Sequence, residues 1–329
     1  MPKIDFDGLS QRILNGTKVG MPLPYQVRIE YGFHHSCGGV LISPNFILTA
    51  FHCLHKQDPK DPKKAVKIPK KYFTIWAGAY TKDDQRYAQR RFISRPIPLA
   101  YSDGTRDHGT VWFHPDIMMV QVDEPFQINS NVTPACLPTK PVPLNTTCIV
   151  SGWGNTKPGS DTLGIASSDS SNELLAAEVQ TVEEGLCKKH LNSYNSWDSS
   201  ELCTYKENLS ACHGDSGGPL VCSTNGGAVV YGLVSWGNEG FWYNCRKPYY
   251  NVFADVFQFK EQIEDILARQ DDHPCPINKF EYGDEYCDGF LNNKENCFDG
   301  GDCCGDNVNL DYCDLYCSDE MPCDCNCKA

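Results

Sequence analysis

Between Cys212 and Cys222 the chain reads Cys-His-Gly-Asp-Ser-Gly-Gly-Pro-Leu-Val-Cys. A serine set among glycines, preceded by an aspartate and closed by cysteines, presents one hydroxyl at a sharp turn beside backbone N–H groups, as nucleophilic catalysis requires. Ser216 is therefore the candidate nucleophile; the structural alternative is a Gly-rich surface turn between disulfides. A serine hydroxyl attacks poorly until a base takes its proton, so a histidine and an acid must accompany it. His52 stands in Thr49-Ala50-Phe51-His52-Cys53 and Asp116 in Pro115-Asp116-Ile117-Met118-Met119-Val120, which gives the order His, Asp, Ser along the chain. His34, His35, His55 and His114 read equally well as surface histidines, and Asp123 is a rival acid.

Gly-Asp-Ser-Gly-Gly alone also matches the G-x-S-x-G elbow of α/β-hydrolases, which needs its acid and then its histidine after the serine. Beyond Ser216 the chain has only His273, in what reads as a linker, so that order fails. The order His, Asp, Ser instead resembles the chymotrypsin/trypsin family of serine proteases, over roughly residues 13–269. Further landmarks are Cys37-Gly38-Gly39, Ala135-Cys136-Leu137-Pro138, Ser151-Gly152-Trp153-Gly154 and Ser235-Trp236-Gly237. The resemblance implies an all-β fold, a double six-stranded antiparallel β-barrel with a C-terminal helix, and hydrolysis of protein or peptide substrates without a catalytic cofactor. It implies that His52 takes the Ser216 proton, that Asp116 orients the imidazole with Ser235 bonded to it, and that Gly214 and Ser216 N–H groups form the oxyanion hole. The second reading is a catalytically inactive binding protein on the same scaffold.

Arg12-Ile13-Leu14-Asn15-Gly16 resembles the family's activation junction. Cutting after Arg12 would free an Ile13 ammonium to pair with Asp215 and set the oxyanion turn. Ser210 falls where tryptic relatives carry an aspartate, so a pocket for Arg or Lys lacks its counter-charge. Gly237 leaves one pocket wall open, and either Asn251 or Tyr249 replaces the glycine of the opposite wall. With Asn251 the pocket is shallower and partly polar, and cleavage after Leu, Met, Phe or Tyr is expected; with Tyr249 it is nearly closed. Activation after Arg12 then calls for a separate tryptic protease. The resemblance further implies the disulfides Cys37–Cys53, Cys148–Cys222, Cys187–Cys203 and Cys212–Cys245, which leaves Cys136 over.

The elements that must carry these residues read as short strands. Val27-Arg28-Ile29 alternates, and Val40-Leu41-Ile42 and Phe46-Ile47-Leu48 are apolar runs between Gly, Pro and Asn turns. Val256 to Arg269 places Phe259, Ile263, Ile266 and Leu267 at helical spacing. Residues 56–71 hold seven lysines and read as an inserted surface loop; with Arg86, Arg90, Arg91 and Arg95 they suggest a site for an anionic partner, the acidic tail of the same chain included. Asn155 to Ser171, rich in Gly and Ser, reads as a mobile loop.

Nineteen cysteines in 329 residues point to an oxidising compartment and a secreted, extracellular protein. Met1 to Arg12 has no apolar core and is no signal peptide; no run long enough to span a membrane occurs. Residues 271–329 carry 15 acidic and 3 basic side chains, so nearly all of the net charge of −13 lies there and the rest is close to neutral. A neutral enzyme joined to an anionic module is the picture, with no nucleic-acid partner. The expected division is an activation peptide at 1–12, a protease domain at 13–270, a calcium-binding module at 271–304 and a Cys-rich acidic tail at 305–329. The module resembles the Lin-12/Notch repeat, with Asp288, Asp299 and Asp302 as calcium ligands, although Leu291 stands where that repeat has a cysteine. Asn131 and Asn145 are plausible glycosylation acceptors; the sequons at Asn15 and Asn208 lie too near functional parts.

Overall fold

A computed structural model describes residues 17–32, 34–57, 65–83, 88–99, 115–156, 170–191, 200–224, 227–237 and 250–268. The chain divides into two compact units, Met1–Ile263 and Glu264–Ala329, and the described elements belong to the first except for the end of the last helix. The strands are β1 (Thr17–Lys18), β2 (Gln26–Tyr31), β3 (His34–Ser43), β4 (Phe46–Thr49), β5 (His55–Gln57), β6 (Ala65–Lys67), β7 (Phe73–Ala77) and β8 (Gln89–Arg91). They continue with β9 (Ile93–Pro98), β10 (Met118–Val122), β11 (Thr147–Gly152), β12 (Leu175–Thr181), β13 (Glu201–Tyr205), β14 (Pro219–Thr224), β15 (Gly227–Gly237) and β16 (Tyr250–Asp255).

Two antiparallel sheets form, ordered β8-β7-β2-β3-β4-β10-β9 and β1-β12-β11-β14-β15-β16-β13, and β5 and β6 make a separate ribbon. A further pairing of β13 with β12, Thr181 opposite Thr204, closes six strands of the second sheet into a ring and leaves the two-residue β1 as an addition. The short β8 on β7 is the like addition to the first sheet. The expected double barrel is therefore present, each six-stranded set carrying one short extra strand.

Each barrel has its own apolar core. Val27, Ile29, Leu41, Ile47, Phe73, Ile75, Met118 and Val120 fill the first; Val150, Val179, Leu220, Tyr231 and Phe253 fill the second. In β2 the alternation puts Val27 and Ile29 inward, as the sequence suggests, but the outward Gln26 and Arg28 are just as buried. Tertiary partners cover them: Ser151 of β11 donates to Gln26 Oε1 at 2.6 Å, and Arg28 Nη1 donates to the Lys82 carbonyl at 3.1 Å.

A seven-residue helix, α1 (Glu184–His190), has no periodic signature in the sequence because it buries one side chain, Cys187, which is bonded to Cys203 of β13. The C-terminal helix begins as a 3₁₀ turn at Val256–Phe259 and continues as α2 (Lys260–Ala268). Asp255 accepts the Phe257 N–H at 3.0 Å and the Gln258 side chain at 3.2 Å, satisfying an orphan donor at the helix start. Phe259 and Ile263 are buried, whereas Ile266 and Leu267 are only partly covered.

In the lysine-rich stretch β5 and β6 pair on either side of residues 58–64, and a 3₁₀ turn spans Lys70–Tyr72. The Gly/Ser loop is likewise pinned at both ends, where Asn155 bridges to Ser170 and Ser171 N–H donates to the Gly154 carbonyl at 3.1 Å. Residues 58–64 and 157–169 lie outside the described residues.

Candidate active site

His52 and Asp116 come together because their strands are neighbours. β4 runs antiparallel to β10 with Thr49 opposite Met118, so the residues just after β4 and just before β10 share one end of the sheet. His52 sits in a single 3₁₀ turn, Phe51–Cys53, and the Cys53–Cys37 disulfide ties that turn to β3. Asp116 receives it twice: the His52 backbone N–H donates to Oδ1 at 3.0 Å, and Nδ1 lies 2.7 Å from Oδ2. Ser235, on β15 of the other barrel, donates its hydroxyl to the same Oδ2 at 2.5 Å. With Nδ1–H committed to a carboxylate, the neutral imidazole carries its lone pair on Nε2, the nitrogen that must act as base.

Burial alone would lower the His52 pKa, but the charge of Asp116 and the hydrogen bond to it outweigh burial and hold it above the ordinary imidazole value. Burial would likewise raise Asp116, yet His52 and Ser235 together hold its carboxyl below the usual range. The pair is thus poised as neutral base beside a fixed anion.

Ser216 occupies the turn that leads into β14, and contacts across the two barrels hold it in place. The Gly38 N–H of β3 donates to the Ser216 carbonyl at 2.7 Å, and Thr49 Oγ1, three residues before His52, donates to the Gly38 carbonyl at 2.8 Å. The serine turn is therefore tied to both strands that frame the histidine. A Cβ on Gly38 would come within 2.8 Å of the Gly218 Cα, so only glycine lets the barrels approach this closely. Gly217, at φ +71°, donates its N–H to the Val234 carbonyl at 2.7 Å, next to Ser235, and a side chain there would strike Thr49. The Ser216 N–H, one of the two expected oxyanion donors, donates to no group among the described residues. Gly214, the other expected donor, stands at φ 91° on the same turn.

Asp215, 1 % exposed, points away from this surface. Its Oδ1 accepts the Gly154 N–H and its Oδ2 the Cys212 N–H, both at 2.9 Å. Burial nevertheless pushes its carboxyl up to about 6, with the two N–H groups and the charge of Lys82 pulling the other way. Lys82 in turn donates to the Trp153 carbonyl at 3.1 Å and to Ser170 Oγ at 2.9 Å, and desolvation brings its ammonium down to about 8.

Of the two residues expected at the pocket wall, Asn251 pairs directly with Gly237 across β15 and β16, and Tyr249 lies outside the described residues. Asn251 Oδ1 lies 3.0 Å from both Ser210 Oγ and the Ala211 N–H. Ser210, Asn251 and Gly237 are thereby brought together, while the Ser235 hydroxyl is given to Asp116. Asp123, the rival acid, serves the backbone N–H groups of Phe92 and Glu124 on the surface. His55 stacks on Phe51 with centroids 3.7 Å apart and bonds the Phe51 carbonyl, and burial lowers its pKa to about 4. Thr49 and Lys82 support the site without a sequence signal, because each acts through a backbone carbonyl of another strand or loop, Gly38 and Trp153.

Cys37–Cys53, Cys148–Cys222 and Cys187–Cys203 are present, Cys212 is disulfide-bonded, and Cys136 is free. Cys245, Arg12, Ile13, His114, Tyr249 and the calcium candidates Asp288, Asp299 and Asp302 lie outside the described residues. Among the described residues the one group spaced for a metal is Cys37, His52 and Cys53, and its two sulfurs are consumed by their disulfide. Several basic residues proposed for an anionic partner are already engaged: Arg91 donates to the carbonyls of Glu124 and Pro125, and Lys70 to that of Ser94. No helix among the described residues is long and apolar enough to cross a membrane.

The chain is 28 % identical over 263 residues to trypsin epsilon of Drosophila erecta, an alignment covering 78 % of this chain and 88 % of that one. It is 29 % identical over 264 residues to transmembrane protease serine 5 of Homo sapiens, covering 78 % of this chain and 52 % of that one. Renal glandular kallikrein of Mastomys natalensis is 27 % identical over 257 residues, covering 74 % and 85 %. In fold it resembles neuropsin, a serine protease expressed in the limbic system of mouse brain, with a TM-score of 0.58 and 22 % identity over 74 % of this chain and 94 % of that one. The family model described as Trypsin matches residues 15–263, the stretch that holds both barrels, and the chain accordingly belongs to the trypsin family of serine proteases.

Proposed function

We propose that the protein is a secreted serine endopeptidase, made as an inactive precursor and switched on by a tryptic cut after Arg12. The observation that carries the reading is the Asp116 carboxylate held between His52 Nδ1 and Ser235 Oγ, with Ser216 tied through Gly38 to the same strands. In the reaction Ser216 Oγ attacks the peptide carbonyl, His52 Nε2 takes its proton and returns it to the leaving amine, and Asp116 stabilises the imidazolium. A scaffold retained only for binding has no use for a shared, buried carboxylate of this kind, which disfavours the inactive reading.

The switch rests on Asp215. Its pKa of about 6 marks a buried carboxylate short of positive charge, and a new Ile13 ammonium would supply it. Cleavage follows uncharged side chains of the Leu, Met, Phe and Tyr class, since Ser210 offers a basic residue no counter-charge. Residues 271–304 bind calcium in this reading, through Asp288, Asp299 and Asp302.

Fluorophosphonate labelling of Ser216, before and after a cut at Arg12 confirmed by N-terminal sequencing, tests the proposal. Labelling confined to the cut form is the expected result. A folded, cut protein that takes no label would make the binding-scaffold reading the better one.

A further inference from the structure

Beside Gly237, where the resemblance puts the primary pocket, a buried amide nitrogen has nothing to donate to among the described residues. Asn251 is 2 % exposed and stands directly opposite Gly237. Side chains of directly paired residues leave a sheet on the same face, so the amide lies under the space that Gly237 leaves open. Among the described residues, a Cβ built on Gly237 meets only the Tyr250 carbonyl oxygen, at 3.5 Å, and Asn251 Oδ1, at 3.9 Å, within 4 Å.

The amide cannot be turned over. The Ala211 backbone N–H approaches it at 3.0 Å, and because a backbone N–H can only donate, the atom facing it must be the oxygen. Ser210 Oγ lies 3.0 Å from the same oxygen and 2.8 Å from the Ala211 carbonyl. Among the described residues, Asn251 Nδ2 is left buried without a partner. Buried polar groups are ordinarily satisfied, and one that is not points to a group arriving from outside the fold.

We infer that Asn251 Nδ2 is the reading group of the primary pocket, and that the enzyme cuts preferentially after side chains ending in a carboxamide, glutamine first and asparagine second. The inference rests on the endopeptidase reading above and replaces the Leu, Met, Phe and Tyr preference given there with carboxamide side chains. A carboxamide satisfies the site on both of its atoms: its oxygen accepts from Asn251 Nδ2, and its NH₂ can donate to the Tyr250 carbonyl facing the same space. Leu and Met leave the donor unmade. A carboxylate would accept as well, but Ser210, Ala211 and Asn251 bring no positive charge to meet it, and an unpaired buried anion is costly. Aromatic rings lose the depth that the Asn251 side chain fills.

The test compares kcat/KM of the full-length enzyme, cut after Arg12 and active-site titrated with a fluorophosphonate, on peptide amides differing only in the residue before the scissile bond. Gln should exceed Met and Leu by at least tenfold, about 1.4 kcal/mol, and should exceed Glu. In Asn251→Ala the Gln advantage over Met should vanish. In Asn251→Asp, nearly isosteric, the donor is replaced by an anion, and Lys should overtake Gln. Fluorophosphonate labelling of each variant shows whether its site is assembled. Leu or Met matching Gln in the unaltered enzyme, Glu matching Gln, or a Gln preference that survives in labelled Asn251→Asp would each overturn the inference alone. Absence of labelling in the unaltered cut enzyme would overturn the peptidase reading itself.

Discussion

Asp116 Oδ2 takes hydrogen bonds from two barrels at once, from His52 at 2.7 Å and from Ser235 at 2.5 Å. The Ser235 hydroxyl reaches only this carboxylate among the described residues, so its role is to position and stabilise the acid. Ser235→Ala should therefore lower kcat by roughly tenfold, the scale of one hydrogen bond to a charged group, and leave KM nearly unchanged. Because catalysis needs neutral His52 and its pKa is raised, activity should fall as pH drops through a value above the ordinary imidazole pKa. That acid limb should persist in Ser235→Ala, where the His52–Asp116 pair remains. Steady-state kinetics across pH checks both statements, and an unchanged kcat in Ser235→Ala would remove the hydroxyl from the machinery.

At the scale of elements, the turn from Cys212 to Gly218 is a hinge between two surfaces. Its outer side presents Ser216, and its inner side buries Asp215 against Gly152 and Gly154 at the end of β11. In the uncut chain Asp215 ionises near pH 6 when folded, against an ordinary value of 3.8. Between those values the folded chain holds a proton that the unfolded chain has lost, so this group makes folding less favourable above pH 6 and the cost is relieved as pH falls through 6 towards 4. The uncut protein should thus gain on the order of 2 kcal/mol from Asp215 on going from neutral pH to about pH 4.5. Urea midpoints of the uncut chain and of Asp215→Asn, compared at both pH values, isolate that contribution. If the two proteins respond alike, the carboxylate is already neutralised. After the Arg12 cut the dependence should shift towards acid, since an ammonium lowers the pKa of its partner.

At the scale of the whole molecule, the charge is segregated: the part that folds as two barrels is close to neutral and residues 271–329 hold nearly all of the net negative charge. Both barrel cores, the His52–Asp116 pair and the Ser235 hydrogen bond to Asp116 lie within the Trypsin match at 15–263. Removal of residues 271–329 should therefore leave fluorophosphonate labelling and peptide kcat/KM of the cut enzyme within about twofold, while abolishing any calcium-dependent rise in Tm. Loss of labelling in a truncated protein that still folds would show that the tail completes the site.

The candidate triad was legible because its parts are local patterns: Gly-Asp-Ser-Gly-Gly, Ala-Phe-His-Cys and Asp-Ile-Met-Met-Val each mark one proposed member, and their order excludes the α/β-hydrolase arrangement. The three disulfides followed from the same resemblance and are present. Three features were not legible, for a common physical reason: each depends on a contact between residues distant in the chain. The burial of Gln26 and Arg28 follows from tertiary partners that cover the outer face of β2, which alternation within one strand cannot report. Lys82 joins the Asp215 pocket only because it reaches the Trp153 carbonyl, 71 residues away. The placement of Asn251 depends on strand register, since a slip of one residue carries a side chain to the other face of a sheet, and only pairing with Gly237 set that register and the direction of its amide.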